Sequence, residues 1–261
     1  MSELAAKIRE TSVPEGSLAI FWISQAGFVY KTPGGAVIYV DPYLSNCVER
    51  LYRYKRIMGT PIEAEDVEAD YVVSTHAHED HLDIDAIPVL LRKPRTVFVG
   101  APDCEEGYHA MGVPDSRFHI LHVGEELGFD DFRLAGVYAD HGELAPHALG
   151  IMLHVGPIRV WQVGDSAYRP ERWQEVFAAG VDVIVPPING AFGNLDAREA
   201  AQLAGQSGAK VAIPCHFWMF AEHNGNPGAF LDACRQYAPG VQPRLMTQGE
   251  RFMFTKPLAG A

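Results

Sequence analysis

The sequence predicts an α/β fold in which two mixed β-sheets pack face to face and helices cover their outer faces. Two observations predict it. Apolar segments of strand length follow one another between residues 18 and 163, and helical segments alternate with strand-like segments from residue 171 onward. Many strands with helices added in each half are typical of sheets that bury one face against each other.

The length and composition fit one such domain. Of the 261 residues, 48% are hydrophobic and 21% are charged, which is enough apolar material for a large buried core. No internal repeat, low-complexity tract or linker rich in proline, glycine or serine divides the chain. The length alone allows one or two domains, and we expect a single domain over residues 1–261.

The first predicted elements are strands. Leu18–Ile23 is followed by Phe28–Lys31 and Ala36–Val40, and the Pro-Gly-Gly sequence at residues 33–35 predicts a hairpin turn between the last two. Residues Tyr43–Met58 form an excursion rich in tyrosine and arginine, for which a helix is one option.

The remaining elements follow from hydrophobic periodicity and chain length. In chain order we expect strand Asp70–Thr75, helix Ile84–Leu91, strands Thr96–Val99, Arg117–His122, Phe132–Ala139, Leu149–Val155 and Ile158–Val163, helix Glu171–Ala179, strand Val181–Val185, helix Ala197–Gln206, strand Lys210–Pro214, helix Pro227–Tyr237 and strand Arg251–Phe254.

The charge balance limits the partners. The 33 acidic and 21 basic residues give a formal net charge of −12, which disfavours nucleic acid and anionic membranes and favours a small-molecule substrate. No secretory signal or membrane-spanning run is visible, and the four cysteines form no C-x-x-C pair. We expect a cytoplasmic protein with free thiols and no membrane contact; the sequence does not specify an oligomeric state.

The strongest functional signal is an H-x-H-x-D-H motif at residues 76–81. His76 and His78 lie two residues apart in an extended segment, so both side chains can point toward one metal ion. Asp80 and His81 follow where the loop turns, and they can reach a second ion about 3.5–4 Å from the first. The alternative is a solvated histidine-rich turn, which the regular spacing makes less favoured.

Further candidate ligands come directly after predicted strands. His141, Asp165 and His216 each stand in this position, where loops of layered folds build sites. Taken alone, a histidine such as His141 is more often a surface or hydrogen-bonded residue, and a Gly-Asp-Ser sequence such as that of Asp165 is usually a turn. His147 is the alternative to His141. An aspartate can bind two cations, which favours Asp165 as a bridging ligand.

With these motifs the chain resembles the metallo-β-lactamase superfamily over most of its length. The similarity rests on the H-x-H-x-D-H loop, His141, the Gly-Asp-Ser sequence at residues 164–166 and the strand that leads to His216. More narrowly, Tyr168 and residues 209–216 are similar to the L-ascorbate-6-phosphate lactonase-like branch. The resemblance implies a four-layer αββα sandwich with a dinuclear metal site at one edge of the sheets.

The resemblance also implies residue roles. Asp41, in a Val-Asp-Pro sequence, matches a superfamily acid that orients a ligand histidine, although an Asp-Pro turn is the alternative. Histidine-rich ligation favours zinc, and the lactonase-like branch implies manganese as the alternative. The implied ligands are His76, His78 and His141 for the first ion, Asp80, His81 and His216 for the second, and Asp165 as the bridge.

Together these candidates predict a hydrolase that uses a metal-bridging hydroxide against an ester or lactone carbonyl. Two cations lower the pKa of water from ~15.7 toward neutrality, so no serine nucleophile is needed. Asp80 is the candidate catalytic residue that returns a proton to the leaving alkoxide. The alternatives are a phosphodiesterase or nuclease, a di-iron redox protein, which would be expected to carry Glu at position 78, and a non-catalytic metal-binding regulator.

Three features are candidates for substrate contacts. Asn189 could donate a hydrogen bond to an oxyanion or simply belong to an Asn-Gly turn, and His223 follows His216 in a loop that could form a pocket wall. The basic segment Arg50–Arg56 has three interpretations: a solvated helix face, a lid that brings cations to a phosphorylated sugar, or a short nucleic-acid patch.

Overall fold

The computed structural model describes residues 2–256. Its strands form two sheets of seven strands each. The first sheet combines the N-terminal half of the chain with the last strand. Across this sheet the strands are β14 (Arg251–Thr255), β1 (Ser17–Ser24), β2 (Gly27–Lys31), β3 (Val37–Val40), β4 (Tyr71–Ser74), β5 (Val97–Gly100) and β6 (Phe118–Ile120).

The second sheet contains the other strands of the described residues. Across it they are β13 (Gln242–Pro243), β12 (Val211–Ala212), β11 (Val183–Val185), β10 (Ile158–Gln162), β9 (Leu149–Val155), β8 (Arg133–Tyr138) and β7 (Glu126–Gly128). Both sheets are mixed, because neighbours from β3 to β6 and from β10 to β13 are parallel whereas the other pairs are antiparallel.

The core lies between and around the sheets. Every residue of β1 is buried, which a strand covered on both faces requires. The Tyr30 hydroxyl of β2 donates a hydrogen bond of 2.9 Å to Gln162 Oε1 of β10, so a polar contact joins the two sheets within the core. One continuous cluster of buried apolar residues reaches from Leu4 to Phe254. The predicted fold of two packed mixed sheets is confirmed.

The described part of the chain has seven α-helices that flank the sheets, several of them with the caps that their sequences encode. In α6, Asp196 and Glu199 form a reciprocal capping box, and Gly208 ends the helix in a left-handed conformation. The helices are α1 (Glu3–Glu10), α2 (Cys47–Tyr52), α3 (Ile87–Leu90), α4 (Cys104–Ala110), α5 (Gln174–Ala179), α6 (Ala197–Ser207) and α7 (Pro227–Tyr237). Within residues 2–256, no helix has the length and apolar character needed to cross a bilayer.

Most predicted elements are present, with shifted ends. The β2–β3 hairpin forms as predicted, with Lys31 opposite Val37, and α7 has the predicted bounds. The excursion at residues 43–58 contains only the short helix α2, and the sequence analysis missed α1, α4, β7 and β13. All four cysteines are buried free thiols, as expected.

The topology determines where the site lies. Strand β8 is antiparallel to β9 and β9 is antiparallel to β10, so β8 runs in the same direction as β10 to β12. The residues that follow β8, β10 and β12 therefore emerge at one edge of the second sheet. In the first sheet the residues after the parallel strands β3 and β4 likewise emerge together.

Candidate metal centre

The loop after β4 carries the first group of candidate ligands. His76 Nε2 lies 2.9 Å from His78 Nδ1, and the His141 ring centroid lies 5.2 Å from that of His76 and 5.1 Å from that of His78. One nitrogen from each of the three side chains lies within 4.8 Å of the others, which is compatible with ligation of one metal ion. This is the group expected to hold the first ion.

A second group forms beside the first. His81 Nε2 lies 3.3 Å from His216 Nε2, and Asp80 Oδ2 lies 3.5 Å from His216 Nε2. Asp80, His81 and His216 together satisfy the same 4.8 Å limit. His216 adopts a left-handed backbone conformation with φ 59°, an uncommon state for a residue with a side chain, and one that is often found at functional sites.

Asp165 lies between the two groups. Its Oδ1 is 3.5 Å from His81 Nε2, and its Oδ2 is 3.2 Å from His216 Nε2 and 3.8 Å from His141 Nε2. One carboxylate therefore contacts histidines of both groups, which is the position that a bridging ligand needs. His147, the alternative to His141, is exposed and belongs to none of the groups found among the described residues.

The turn before Asp165 depends on a glycine. Gly164 has φ +73°, and a Cβ atom at this position would collide with the carbonyl oxygen of Leu149. Only glycine therefore lets β10 pass close to β9 and then deliver Asp165 into the site.

Asp41 fixes the orientation of His81. It is fully buried at the end of β3, with φ 48°, and its Oδ2 accepts a hydrogen bond of 2.9 Å from His81 Nδ1. It also accepts bonds of 2.8 Å from the Thr75 amide and of 2.8 Å from the Thr75 hydroxyl. Because the proton is held on Nδ1, the Nε2 lone pair of His81 is directed toward Asp80, Asp165 and His216.

The converging nitrogen and oxygen atoms of the site fit metal ions. The Nε2 atoms of His81 and His216 lie 3.3 Å apart, and Asp165 Oδ1 is buried without a hydrogen-bond partner. Such convergence of nitrogen and carboxylate acceptors is costly unless a cation satisfies it. Five imidazoles and two carboxylates form the nitrogen and oxygen donor set that zinc and related divalent ions use.

The electrostatics of the buried cluster lead to the same conclusion. Burial lowers the pKa of His81, but Asp165, Asp80 and Asp41 outweigh it and raise that pKa well above its ordinary value. Burial and the neighbouring His81 lower the pKa of His76 instead. The carboxylates around His81 thus favour positive charge at this point of the cluster, which is the charge that bound cations would supply.

Two supporting residues were not found by the sequence analysis. Gln25, fully buried after β1, donates a hydrogen bond of 2.7 Å from Nε2 to Asp80 Oδ2 and lies 3.2 Å from His216 Nε2. Asn194 donates a bond of 2.7 Å to Asp165 Oδ2. Both amides orient a candidate carboxylate ligand. Neither carries a local sequence signal, because each partner lies far away along the chain.

One expectation needs correction. Asn189 is fully buried, and its Nδ2 donates to the carbonyl oxygen of Ala191 at 3.2 Å. It lines a separate cavity together with Asp196 and Asn226 rather than the space above the clustered histidines. Because Asn189 does not line the cavity above the candidate ligands, it is not placed to bind an oxyanion there, and the Asn-Gly turn is the better description.

A cavity of about 310 Å³ opens above the candidate ligands. This volume is at the lower end of the range typical of small-molecule sites, roughly 300–1,000 Å³. His223 lines the cavity, as expected, and its ring stacks on His216 at 4.7 Å. The other lining residues are Val48, Tyr52, Tyr54, His78, Glu79, Asp80, His141, Leu144, Asp165, His216, Phe192 and Phe220.

The basic segment contributes tyrosines rather than cations to this cavity. Arg50 pairs with Asp85 at 2.6 Å, and Arg56 Nη1 donates to the carbonyl oxygen of Ser45 at 2.7 Å. Tyr52 and Tyr54 are the members of this segment that line the cavity. The geometry thus gives no support to a cationic lid.

Comparisons with known proteins agree with this fold. Residues 19–216 match the family model described as the beta-lactamase superfamily domain. A protein of Myxococcus xanthus named UPF0173 metal-dependent hydrolase is 28% identical over 260 residues, which cover 92% of this chain and 86% of the relative. One of the same name from Polynucleobacter asymbioticus is 25% identical over 260 residues, covering 92% of this chain and 87% of the relative. The structure of Igni18, a metallo hydrolase from Ignicoccus hospitalis, shares the fold with a TM-score of 0.70 at 21% identity, over 92% of this chain and 100% of Igni18.

Proposed function

This chain belongs to the β-lactamase superfamily, and from that premise we propose that it is a metal-dependent hydrolase that cleaves an ester or lactone carbonyl of a small molecule. The observation that carries the proposal is that two groups of candidate ligands, with Asp165 close to histidines of both, lie at the base of a cavity of about 310 Å³. Relatives named metal-dependent hydrolases, which match along most of the chain, support hydrolysis as the reaction type.

The donor set is suited to two divalent ions. His76, His78 and His141 would hold one ion and Asp80, His81 and His216 the other, with Asp165 shared. Five imidazoles favour zinc over manganese, which prefers more oxygen ligands, and manganese is the alternative. When bound, the ions supply a hydroxide nucleophile near neutral pH and polarise the carbonyl oxygen.

The protein's own residues orient the reactants and move the proton. Asp80 is the ligand-group carboxylate best placed to return a proton to a leaving alkoxide, since it lines the cavity and its side chain is 16% exposed. The Gln25 amide holds that carboxylate at 2.7 Å, so its position is fixed before substrate enters. His223 faces the same cavity and can hydrogen-bond a substrate oxygen.

The test combines metal analysis with a substrate panel. Protein purified with zinc or manganese should contain two ions per chain by elemental analysis, and it should turn over lactones or aryl esters faster than phosphodiesters or nucleic acid. Cleavage of phosphodiesters without any carbonyl turnover would overturn the reaction class, and one ion or none in metal-saturated protein would overturn the dinuclear site.

The chain provides a matched pair of variants for the ligand assignment. His141→Ala should lose one ion and most activity, because it removes a nitrogen from the first ligand group. His147→Ala, six residues away and exposed, should keep both ions and wild-type turnover. The reverse result would contradict the assignment of His141.

A further inference from the structure

An aromatic wall rises from the ligand cluster to the mouth of the cavity. We define it as Tyr54, Phe192, Phe220 and His223. The His223 ring stacks on His216 at 4.7 Å and lies 5.6 Å from Phe192 and 5.0 Å from Phe220. The Tyr54 ring lies 6.2 Å from Phe192 and 6.2 Å from Phe220. A substrate group beside the reacting carbonyl therefore lies against aromatic rings, and His223 is the member of the wall that also offers ring nitrogens.

The wall continues into apolar side chains that the fold leaves exposed. Tyr52, Leu144 and Phe192 line the cavity and are 53%, 57% and 44% exposed. Phe192 also has φ 56°, a left-handed conformation that is unfavourable for a bulky residue. Exposed apolar area and backbone strain at the mouth of a site both reduce stability, which favours a binding role for these side chains.

Away from the candidate ligands, the cavity offers no positive charge to an anionic group. Among the described residues that line it, none is a lysine or an arginine, and Glu79 is the acidic residue outside the candidate ligand set, because bound cations would offset the charges of Asp80 and Asp165. Tyr52 donates a hydrogen bond of 2.8 Å to Glu79, so this tyrosine faces a carboxylate at the rim. A phosphate group held away from the metal ions needs an arginine or lysine partner, and none is present there.

We propose that the substrate is an uncharged ester or lactone whose non-reacting part is an alkyl chain or an aryl group lying against the aromatic wall. This inference rests on the hydrolase function proposed above, and it replaces the phosphorylated sugar that the sequence resemblance suggested. The small volume of the cavity fits a small molecule rather than a macromolecular partner.

A lactone series tests the apolar contact. We expect kcat/KM to rise about three- to fourfold per methylene from γ-butyrolactone through γ-hexalactone toward γ-nonalactone, until the chain fills the cavity. Gluconolactone phosphorylated at the 6-position should be no better a substrate than gluconolactone. If kcat/KM did not rise with the length of the alkyl chain, or if the phosphorylated lactone were preferred, the proposed substrate class would be overturned while the hydrolase function would stand.

Two aromatic residues with similar exposure and backbone conformation give a matched comparison. Phe192→Ala should reduce the nonalactone-to-butyrolactone ratio of kcat/KM roughly tenfold, because it removes a ring of the wall. Trp218 is 56% exposed with φ 57° but does not line the cavity, so Trp218→Ala should leave the ratio unchanged. Equal effects of the two substitutions would contradict a specific role for the wall.

A binding measurement separates this inference from the reaction class. Calorimetry of zinc-loaded protein with acetohydroxamate and 4-phenylbutyrohydroxamate compares two ligands that share a metal-binding head and differ in the apolar tail. We expect the phenyl compound to bind at least about tenfold tighter, and Phe192→Ala to remove most of that advantage. This result would support the apolar site even if no carbonyl compound were hydrolysed, and equal affinities would overturn it.

Discussion

The substitution Asp41→Asn should weaken the second metal group without changing the shape of the site. In the wild-type chain, Asp41 Oδ2 accepts bonds from His81 Nδ1 at 2.9 Å and from the Thr75 hydroxyl at 2.8 Å. If the side-chain oxygen of the asparagine keeps the bond to the Thr75 amide, the NH₂ group takes the place of Oδ2. It then faces His81 Nδ1 and the Thr75 hydroxyl, which both donate in the wild-type chain. The hydroxyl can rotate and accept, but His81 can accept only by moving its proton to Nε2.

The size of the expected loss of metal affinity follows from that tautomer. With the proton on Nε2, His81 has no lone pair for an ion in the group with Asp80 and His216. A hydrogen bond to a charged group contributes about 1.5–3 kcal/mol, and 1.4 kcal/mol corresponds to a tenfold change in affinity. We therefore expect metal affinity to fall about 10- to 100-fold, as is typical when a residue that supports a ligand histidine is changed. The effect should be confined to one of the two ions.

The assay is a competition titration of zinc against a chromogenic chelator at fixed pH, with near-ultraviolet circular dichroism to verify folding. Asp83→Asn is the matched control. Asp83 is also a buried carboxylate, accepting bonds from the Leu44 amide at 2.8 Å and the Ser45 hydroxyl at 2.6 Å, but it contacts no histidine among the residues described. The substitution Asp83→Asn should lower the stability of the fold and leave the zinc affinity unchanged. Wild-type affinity in Asp41→Asn, or an equal loss in Asp83→Asn, would refute the reasoning.

Two further predictions concern stability. Gly164→Ala should lower the free energy of unfolding in urea by about 1–3 kcal/mol, because it places a Cβ atom against a backbone carbonyl at positive φ. Gly128 has open space around it, so Gly128→Ala should not lower the free energy of unfolding by such an amount. Equal losses in the two variants would contradict this reasoning. Asp182 is buried, which raises its pKa, but hydrogen bonds from Lys256, the Arg159 amide and Lys210 outweigh burial and lower it. A lowered folded pKa means that its contribution is complete above the unfolded value of about 3.9 and is lost as pH falls through the folded value. The stability difference between wild type and Asp182→Asn should therefore shrink below about pH 4, and a constant difference across pH would refute this.

The sequence by itself determined the features that are local in the chain. The candidate ligands at residues 76–81 are close in sequence, so their spacing alone placed two histidines and an aspartate-histidine pair in one loop. The β2–β3 hairpin and α7 were equally local, since a turn sequence or a capping residue next to an apolar pattern defines each of them. Strand ends also pointed to His141, Asp165 and His216, because parallel strands finish at the same edge.

Only the tertiary structure decided the contacts between distant segments. Gln25 and Asp80 are 55 residues apart, and nothing near either residue indicates that an amide from the turn after β1 holds this carboxylate. The short strand β13 exists because β12 offers it a parallel neighbour, not because its own sequence favours a strand. Asn189 illustrates the converse: its position after a strand suggested a substrate contact, but its amide is used inside its own turn.

The composition of the cavity was decided in the same way. Residues 50–56 form a basic segment in the sequence. In the fold, however, Arg50 pairs with Asp85 and Arg56 donates hydrogen bonds to backbone carbonyls. The residues of this segment that line the cavity are Tyr52 and Tyr54. A metal-binding loop can be recognised in sequence because its ligands must keep a fixed local spacing. A substrate pocket cannot, because its walls come from loops whose side-chain directions are set by long-range packing.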